Sequence, residues 1–159
     1  MKAGIYVLLS VLSVGCADYG ALPLTEIQLG YVQAAEDAWS PMPVRAACNG
    51  AATGLYLATG SDAWVNDRCG GDVFACVVIG DGVVVMRESF LGTPSEATLL
   101  VHEAVHVLAD CNIGTANSSH SRQDLWVMPG RCLSDSVEGR ARVLLGVDGC
   151  DTYPGSNCC

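Results

Sequence analysis

His102, Glu103 and His106 are the residues of this chain whose types and spacing best suit metal chemistry. Histidines four positions apart lie on one face of an α-helix, about one turn from each other, so both imidazoles can reach a single ion. Glu103 directly follows the first histidine, and its carboxylate can therefore reach a water molecule bound to that ion. This H-E-x-x-H spacing is typical of zinc hydrolases, in which the glutamate is the general base.

The alternative is that these histidines are ordinary surface or core residues of a helix, and their surroundings argue against it. The chain contains only three histidines, His102, His106 and His120. The positions around the first two are apolar: Leu99, Leu100, Val101, Ala104, Val105, Val107 and Leu108. A helix that favours burial thus carries its polar cluster where metal ligands are expected, and buried polar groups need partners.

Signals for the start of this helix precede the histidines. Thr93 is a typical N-cap, Pro94 suits the first helical position, and Glu96 has the spacing of a capping box. The helix should therefore begin at Pro94 and run past His106.

The third metal ligand must come from outside that helix. An unbroken helix would carry Asp110 to the same face as His102, but the two lie roughly 12 Å apart along the axis at ~1.5 Å per residue. The helix must therefore end before the third ligand, and Gly114 with the polar residues 115–119 permits a return loop. Asn112 offers only a neutral amide, which is a poor zinc ligand beside imidazole.

A methionine follows the third histidine at a distinctive distance. His120 precedes Met128 by eight residues, and Pro129 follows the methionine. Together with the two helical histidines, this spacing resembles the metzincin clan of zinc metalloproteases, in its matrix-metalloprotease-type form. The resemblance implies that His120 is the third zinc ligand and that Met128 lies in a tight turn beneath the metal. It also implies hydrolysis of peptide bonds in a peptide or protein substrate.

The chain departs from the clan pattern between the second and third histidines. Ala109 stands where metzincins have a glycine, and Asn112 stands where the third ligand usually lies. An insertion near residues 111–119 is therefore expected, with Gly114 providing the displaced turn. A disulfide from Cys111, with Cys132 as the suggested partner, would hold the base of this loop.

The resemblance also implies a fold class. It is α+β: a small, disulfide-stabilised, metzincin-like domain with a twisted, mostly parallel sheet, an antiparallel edge strand, an active-site helix and a C-terminal helix within residues 133–146. The edge strand would line the catalytic cleft.

Local patterns predict further elements of this fold. Thr25 and Gln28 have capping-box spacing and begin an apolar helical periodicity that extends to Trp39. Two β-branched runs, residues 73–79 and 83–87, are joined by Gly80-Asp81-Gly82 and predict a hairpin. Shorter strands are predicted at residues 55–57 and 64–65.

Zinc is the metal that the proposed ligand set favours. Three neutral imidazoles leave a fourth position for water, whose pKa falls toward ~7. Glu103 would take a proton from this water as it attacks a polarised carbonyl, and would then deliver the proton to the leaving amine. An iron oxygenase site would instead replace one histidine with a metal-binding carboxylate.

Three other interpretations remain open. Glu138 could be the third ligand, as in thermolysin-like enzymes, but His120 and Met128 would then be unexplained. The chain could be a non-enzymatic zinc-binding surface domain, although a structural site has no need of Glu103 as a base. It could also be a disulfide-stabilised interaction module without metal.

The first residues have the features of an export signal. Met1 and Lys2 are followed by an apolar run, residues 3–14, that is too short to span ~30 Å of hydrocarbon. The junction at Gly15-Cys16 resembles the cleavage site of bacterial lipoproteins, and an ordinary signal peptide is the alternative. We expect a signal peptide at residues 1–15, a tether at 16–24 and the catalytic domain at 25–159. Cys16 would carry a lipid as the only membrane contact of a cell-envelope protein, at the outer membrane or periplasmic face, or the protein would be secreted.

The number of cysteines and the net charge restrict the compartment and the binding partners that the chain is expected to have. Nine cysteines less the lipid-bearing Cys16 leave eight, which can pair completely as disulfides outside the reducing cytosol. No C-x-x-C pair is present, which argues against a cysteine zinc cluster. The formal net charge of −9 argues against binding to nucleic acid or to anionic lipid.

Overall fold

The structure, a computed structural model, describes residues 19–147. The predicted signal peptide, Cys16, Cys150, Cys158 and Cys159 lie outside the described residues. Four strands run through the described chain: β1 (Leu22–Pro23), β2 (Tyr56–Gly60), β3 (Ala75–Val78) and β4 (Val83–Arg87). Its four α-helices are α1 (Glu26–Trp39), α2 (Asp62–Cys69), α3 (Pro94–Ile113) and α4 (Val137–Leu144). No helix within this range is long and apolar enough to cross a bilayer.

The strands form one mixed sheet in the order β1-β2-β4-β3. β2 and β4 are parallel, with Leu57 opposite Val84, whereas β1 with β2 and β3 with β4 are antiparallel. The predicted α+β class and antiparallel edge strand are confirmed, but parallel pairing is limited to one pair of strands. Connection length accounts for the pairing of β3 with β4, since the four residues 79–82 between them are too few for the crossover that a parallel pair needs. Leu22 and Pro23, predicted to lie in a tether, form an edge of this sheet.

Helices cover both faces of the central strand β4. Side chains alternate between the faces of a strand. Val84 and Met86 accordingly pack in the main core with α1, α3 and α4, while Val83 and Val85 pack in a second core with Val65 of α2. The helix that carries the histidines is therefore held between the sheet and two other helices.

The predicted strand at residues 64–65 is wrong, because this segment belongs to α2. The Ser61 hydroxyl accepts a hydrogen bond from Trp64 N at 3.3 Å and caps the helix. Gly70 ends it in a left-handed conformation, with φ 75°. Apolar residues alone suggested a strand, whereas the serine and the glycine at the two ends determine a short helix.

Of the two predicted capping boxes, the one in α1 is present and the one in α3 is absent. In α1 the box is formed: Gln28 N donates to Thr25 Oγ1 at 3.3 Å and Thr25 N donates to Gln28 Oε1 at 2.9 Å. At the start of α3 it is not formed, because the Glu96 carboxylate accepts from Gly92 N at 2.8 Å and from Gln28 Nε2 at 2.6 Å. Glu96 therefore joins the first turns of α1 and α3, a tertiary contact that replaces the local one.

Two disulfides lie within the described residues, Cys48–Cys111 and Cys69–Cys76. The suggested pairing of Cys111 with Cys132 is wrong. The last turn of α3 packs against the short 3-10 helix Ala46–Cys48, which brings Cys48 rather than Cys132 beside Cys111. Both disulfides fit folding in an oxidising compartment.

Candidate metal centre

Three imidazoles converge at one point beside α3. His102 and His106 lie one helical turn apart, and His120 approaches from the following loop. Its Nε2 lies 3.1 Å from His102 Nε2 and 3.2 Å from His106 Nε2. Ligands about 2.0–2.1 Å from a tetrahedral zinc ion are themselves roughly 3.4 Å apart. The spacing of these nitrogens therefore fits one metal ion, and the group could hold one.

In both helical histidines, Nδ1 contacts an oxygen atom of a neighbouring segment. His106 Nδ1 lies 2.6 Å from the carbonyl oxygen of Ala116, and His102 Nδ1 lies 3.2 Å from Glu138 Oε1. Carbonyl and carboxylate oxygens only accept, so each Nδ1 carries the proton and donates. Each Nε2 is left with a free lone pair, which is the tautomer that a metal ligand requires.

The loop that carries His120 begins where α3 ends. Gly114 caps the helix with φ 78°, as the predicted turn requires. Asn117 and His120 both have φ 51°, and His120 N donates to Asn117 O at 2.8 Å, which closes a tight turn. The chain thus reverses and returns His120 to the face of the helix that carries His102.

The competing ligand candidates lie elsewhere. Asn112 is buried, accepting from Arg45 N at 2.8 Å and donating to Leu108 O at 3.0 Å, so its amide is already engaged. Asp110 is not part of the three-histidine group. Glu138 contacts His102 on its Nδ1 side, away from the nitrogen that faces the other histidines.

Glu103 lines the same cleft as the three histidines. Glu103 is only 4% exposed to solvent. Burial raises the pKa of this carboxyl to about 7, against the opposing effects of His102 and of a hydrogen bond with the Val77 backbone. A carboxyl with such a pKa can both take and release a proton near neutrality.

Burial lowers the pKa values of His102 and His106, whereas Glu138 raises them. Burial lowers the pKa of His106 to about 4, so this imidazole is neutral at physiological pH. Burial also lowers the pKa of His102, but the hydrogen bond and charge of Glu138 outweigh it and leave the pKa raised. The pKa of Glu138 is lowered despite its burial, because His102, Val127 N and Arg142 favour the carboxylate.

An aromatic side chain that the sequence analysis did not single out contacts all three imidazoles. The ring centroid of Trp126 lies 4.9 Å from that of His102, 4.3 Å from that of His106 and 4.6 Å from that of His120. Met128, predicted to lie beneath the metal, packs half-buried against the main core and begins a tight turn in which Arg131 N donates to Met128 O at 3.1 Å. No local pattern marks Trp126, because its place depends on how the loop folds.

A cleft of about 540 Å³ opens over the histidines. The edge strand β3 forms one side of it and the histidines with Leu99 of α3 form the other, as predicted for the hairpin. Phe74, 57% exposed, lies at its rim. No family model, curated protein or solved structure matches this chain.

Proposed function

We propose that this chain is a zinc metalloendopeptidase of metzincin-like type, in which His102, His106 and His120 bind the metal and Glu103 is the general base. The main support for this proposal is the convergence of three Nε2 atoms, since that of His120 lies 3.1 Å from that of His102 and 3.2 Å from that of His106. The buried glutamate beside them distinguishes it from a purely structural zinc site, which has no use for a base.

Zinc fits the donor set best. The three donors are imidazoles, and the Glu138 carboxylate is directed to Nδ1 of His102 rather than to the Nε2 that faces the other histidines. Iron oxygenase sites use a carboxylate as one of the ligands themselves, and calcium and magnesium prefer oxygen donors. Three protein ligands also leave one tetrahedral position open, as in catalytic zinc sites.

The reaction assigns a distinct task to each side chain. Zinc, when bound, supplies a Lewis acid that polarises a substrate carbonyl and lowers the pKa of water. Glu103 accepts a proton from the attacking water and transfers it to the leaving amine, which its pKa near 7 permits. Glu138 and the Ala116 carbonyl keep His102 and His106 in the required tautomers.

The edge of β3 supports a peptide as the substrate. Among the described strands, β3 has a hydrogen-bonded neighbour on one side only, β4. Its other edge bounds the cleft, where an extended peptide can add as a further strand and present its backbone to the histidines. The apolar side chains Val77, Leu99 and Phe74 along this cleft favour a substrate with apolar groups.

We also propose that the protein is exported and carries a lipid on Cys16, as a protein of the cell envelope. The apolar residues 3–14 and the Gly15-Cys16 junction support this proposal. The disulfides Cys48–Cys111 and Cys69–Cys76 agree with an oxidising compartment.

The decisive experiment combines metal analysis with peptide hydrolysis. The full chain is purified without added zinc, its metal content is measured, and it is incubated with a mixed peptide library before and after chelation. We expect about one zinc per chain, and cleavage that chelation abolishes and zinc restores. Bound zinc without cleavage would favour the non-enzymatic zinc-binding domain, and absence of zinc would favour the metal-free interaction module.

A further inference from the structure

We propose that Trp126 is the platform that holds the three histidines in their metal-binding arrangement, the role that the resemblance assigns to Met128. This inference rests on metal binding by the three-histidine group, not on peptide hydrolysis. It concerns a positioning residue, because Trp126 contacts the ligands rather than the reacting atoms.

The first observation is that one indole contacts every ligand. Its centroid lies between 4.3 and 4.9 Å from each imidazole centroid. Two of these imidazoles come from the rigid helix α3, whereas the third, His120, comes from an exposed loop. Contact with a common surface restricts the rotation of all three rings, so the metal does not have to order His120 on binding.

The second observation is that Trp126 also holds the loop that carries His120. Its indole Nε1 donates to Asn117 Oδ1 at 2.7 Å, and the same oxygen accepts from Arg122 N at 3.1 Å. Asn117 O in turn accepts from His120 N at 2.8 Å. The indole therefore positions His120 both by ring contact and through the asparagine that closes its turn.

The third observation is that Trp126 stands on a rigid support. Leu125 O accepts from Glu138 N at 2.9 Å, and Val127 N donates to Glu138 Oε2 at 3.0 Å. Both neighbours of Trp126 are thus hydrogen-bonded to the first turn of α4. Because Glu138 Oε1 contacts His102, the platform and the first ligand share one fixed residue.

A buried tryptophan that only filled the core would stabilise the fold without affecting the metal. Trp126 is 2% exposed, so part of its contribution is core packing. The test must therefore separate metal affinity and geometry from folding. Met128, two positions along the same segment and also packed against the main core, provides a matched control.

The experiment compares the full wild-type chain with Trp126→Leu, Trp126→Phe, Asn117→Gly and Met128→Leu. Zinc affinity is measured by competition with a chromophoric chelator, Co²⁺ visible spectra report coordination geometry, and thermal unfolding of the metal-free proteins reports stability. Asn117→Gly removes the acceptor of the indole without straining a backbone at φ 51°. Trp126→Phe keeps an aromatic ring but loses the indole N–H, so it removes the same hydrogen bond and should weaken zinc binding as Asn117→Gly does. These two variants test the inference even if Trp126→Leu does not fold.

We expect Trp126→Leu to weaken zinc binding by about 10- to 100-fold, and Asn117→Gly to weaken it by about tenfold. Their Co²⁺ spectra should lose the intense bands of a four-coordinate site, while Met128→Leu should match the wild type. Wild-type affinity and spectra in folded Trp126→Phe and Asn117→Gly would overturn the role of Trp126, as would a larger effect of Met128→Leu. Zinc binding by the wild type without peptide cleavage would contradict only the proposed function, whereas absence of metal binding would overturn both.

Discussion

Glu138 and His102 are joined by a hydrogen bond in which Oε1 of the glutamate lies 3.2 Å from Nδ1 of the histidine. The second carboxylate oxygen accepts from Val127 N at 3.0 Å, so one side chain connects α3, α4 and the segment before Met128. Glu138, which the sequence offered as a possible metal ligand, thus contacts His102 on its Nδ1 and lies outside the three-histidine group. Such outer partners commonly contribute strongly to metal affinity.

We expect Glu138→Gln to weaken zinc binding by about tenfold or more. The substitution removes the negative charge beside His102 and replaces an acceptor of its Nδ1 or of Val127 N with a donor. Competition titration with a chelator measures the change. Glu36→Gln is the matched control, since Glu36 accepts from Ala52 N at 2.9 Å and is not in the three-histidine group. Equal losses in both variants would contradict a specific role for Glu138.

Glu103→Gln should retain zinc and lose most hydrolysis. The amide preserves size but cannot accept a proton, and general acid-base groups typically contribute about 10² to 10⁴-fold to the rate. Metal content and kcat are measured on the same preparation. A variant that cleaves peptides as fast as the parent would show that Glu103 is not the base, and loss of zinc would show that it is a ligand.

His120→Ala should lower zinc affinity and activity severely, whereas Asp110→Ala should leave both unchanged. Of these two residues, only His120 belongs to the three-histidine group, with its Nε2 close to the Nε2 atoms of His102 and His106. Isothermal titration of metal-free protein with zinc provides the measurement. Full zinc binding by His120→Ala together with its loss in Asp110→Ala would exclude the assigned ligand set.

We expect Asn112→Ala to reduce the stability of the fold without changing its zinc affinity. The variant removes the hydrogen bonds to Arg45 N and Leu108 O, which should reduce the free energy of unfolding by about 1–3 kcal/mol. Zinc affinity of the folded variant should remain that of the wild type. Urea unfolding and zinc titration test the two parts, and a large loss of affinity without loss of stability would place Asn112 in the metal site.

The two disulfides should contribute unequally to stability. Cys48 and Cys111 are 63 residues apart, whereas Cys69 and Cys76 are 7 apart. The chain-entropy relation then gives about 4 kcal/mol for the first and about 2 kcal/mol for the second. Urea unfolding of the two double serine variants measures the difference. A larger loss on removing Cys69–Cys76 would contradict this ranking.

Local interactions are the part of this protein that the sequence by itself determined. His102, Glu103 and His106 lie within one and a half turns of one helix, so their relative placement follows from helical periodicity. The same holds for the capping box of Thr25 with Gln28, and for the hairpin that produces β3 and β4. In each case the interacting residues are close enough in the chain for backbone geometry to decide the outcome.

Contacts between distant segments were decided only by the tertiary structure. The position of His120 depends on the left-handed turn at Asn117, and the disulfide of Cys111 depends on where Cys48 is brought by the preceding loops. Trp126 has no local signal, since its partners lie 6 to 24 positions earlier in the chain. The path of a loop is set by the sum of many weak packing and hydrogen-bond energies across the fold, which no short sequence pattern encodes.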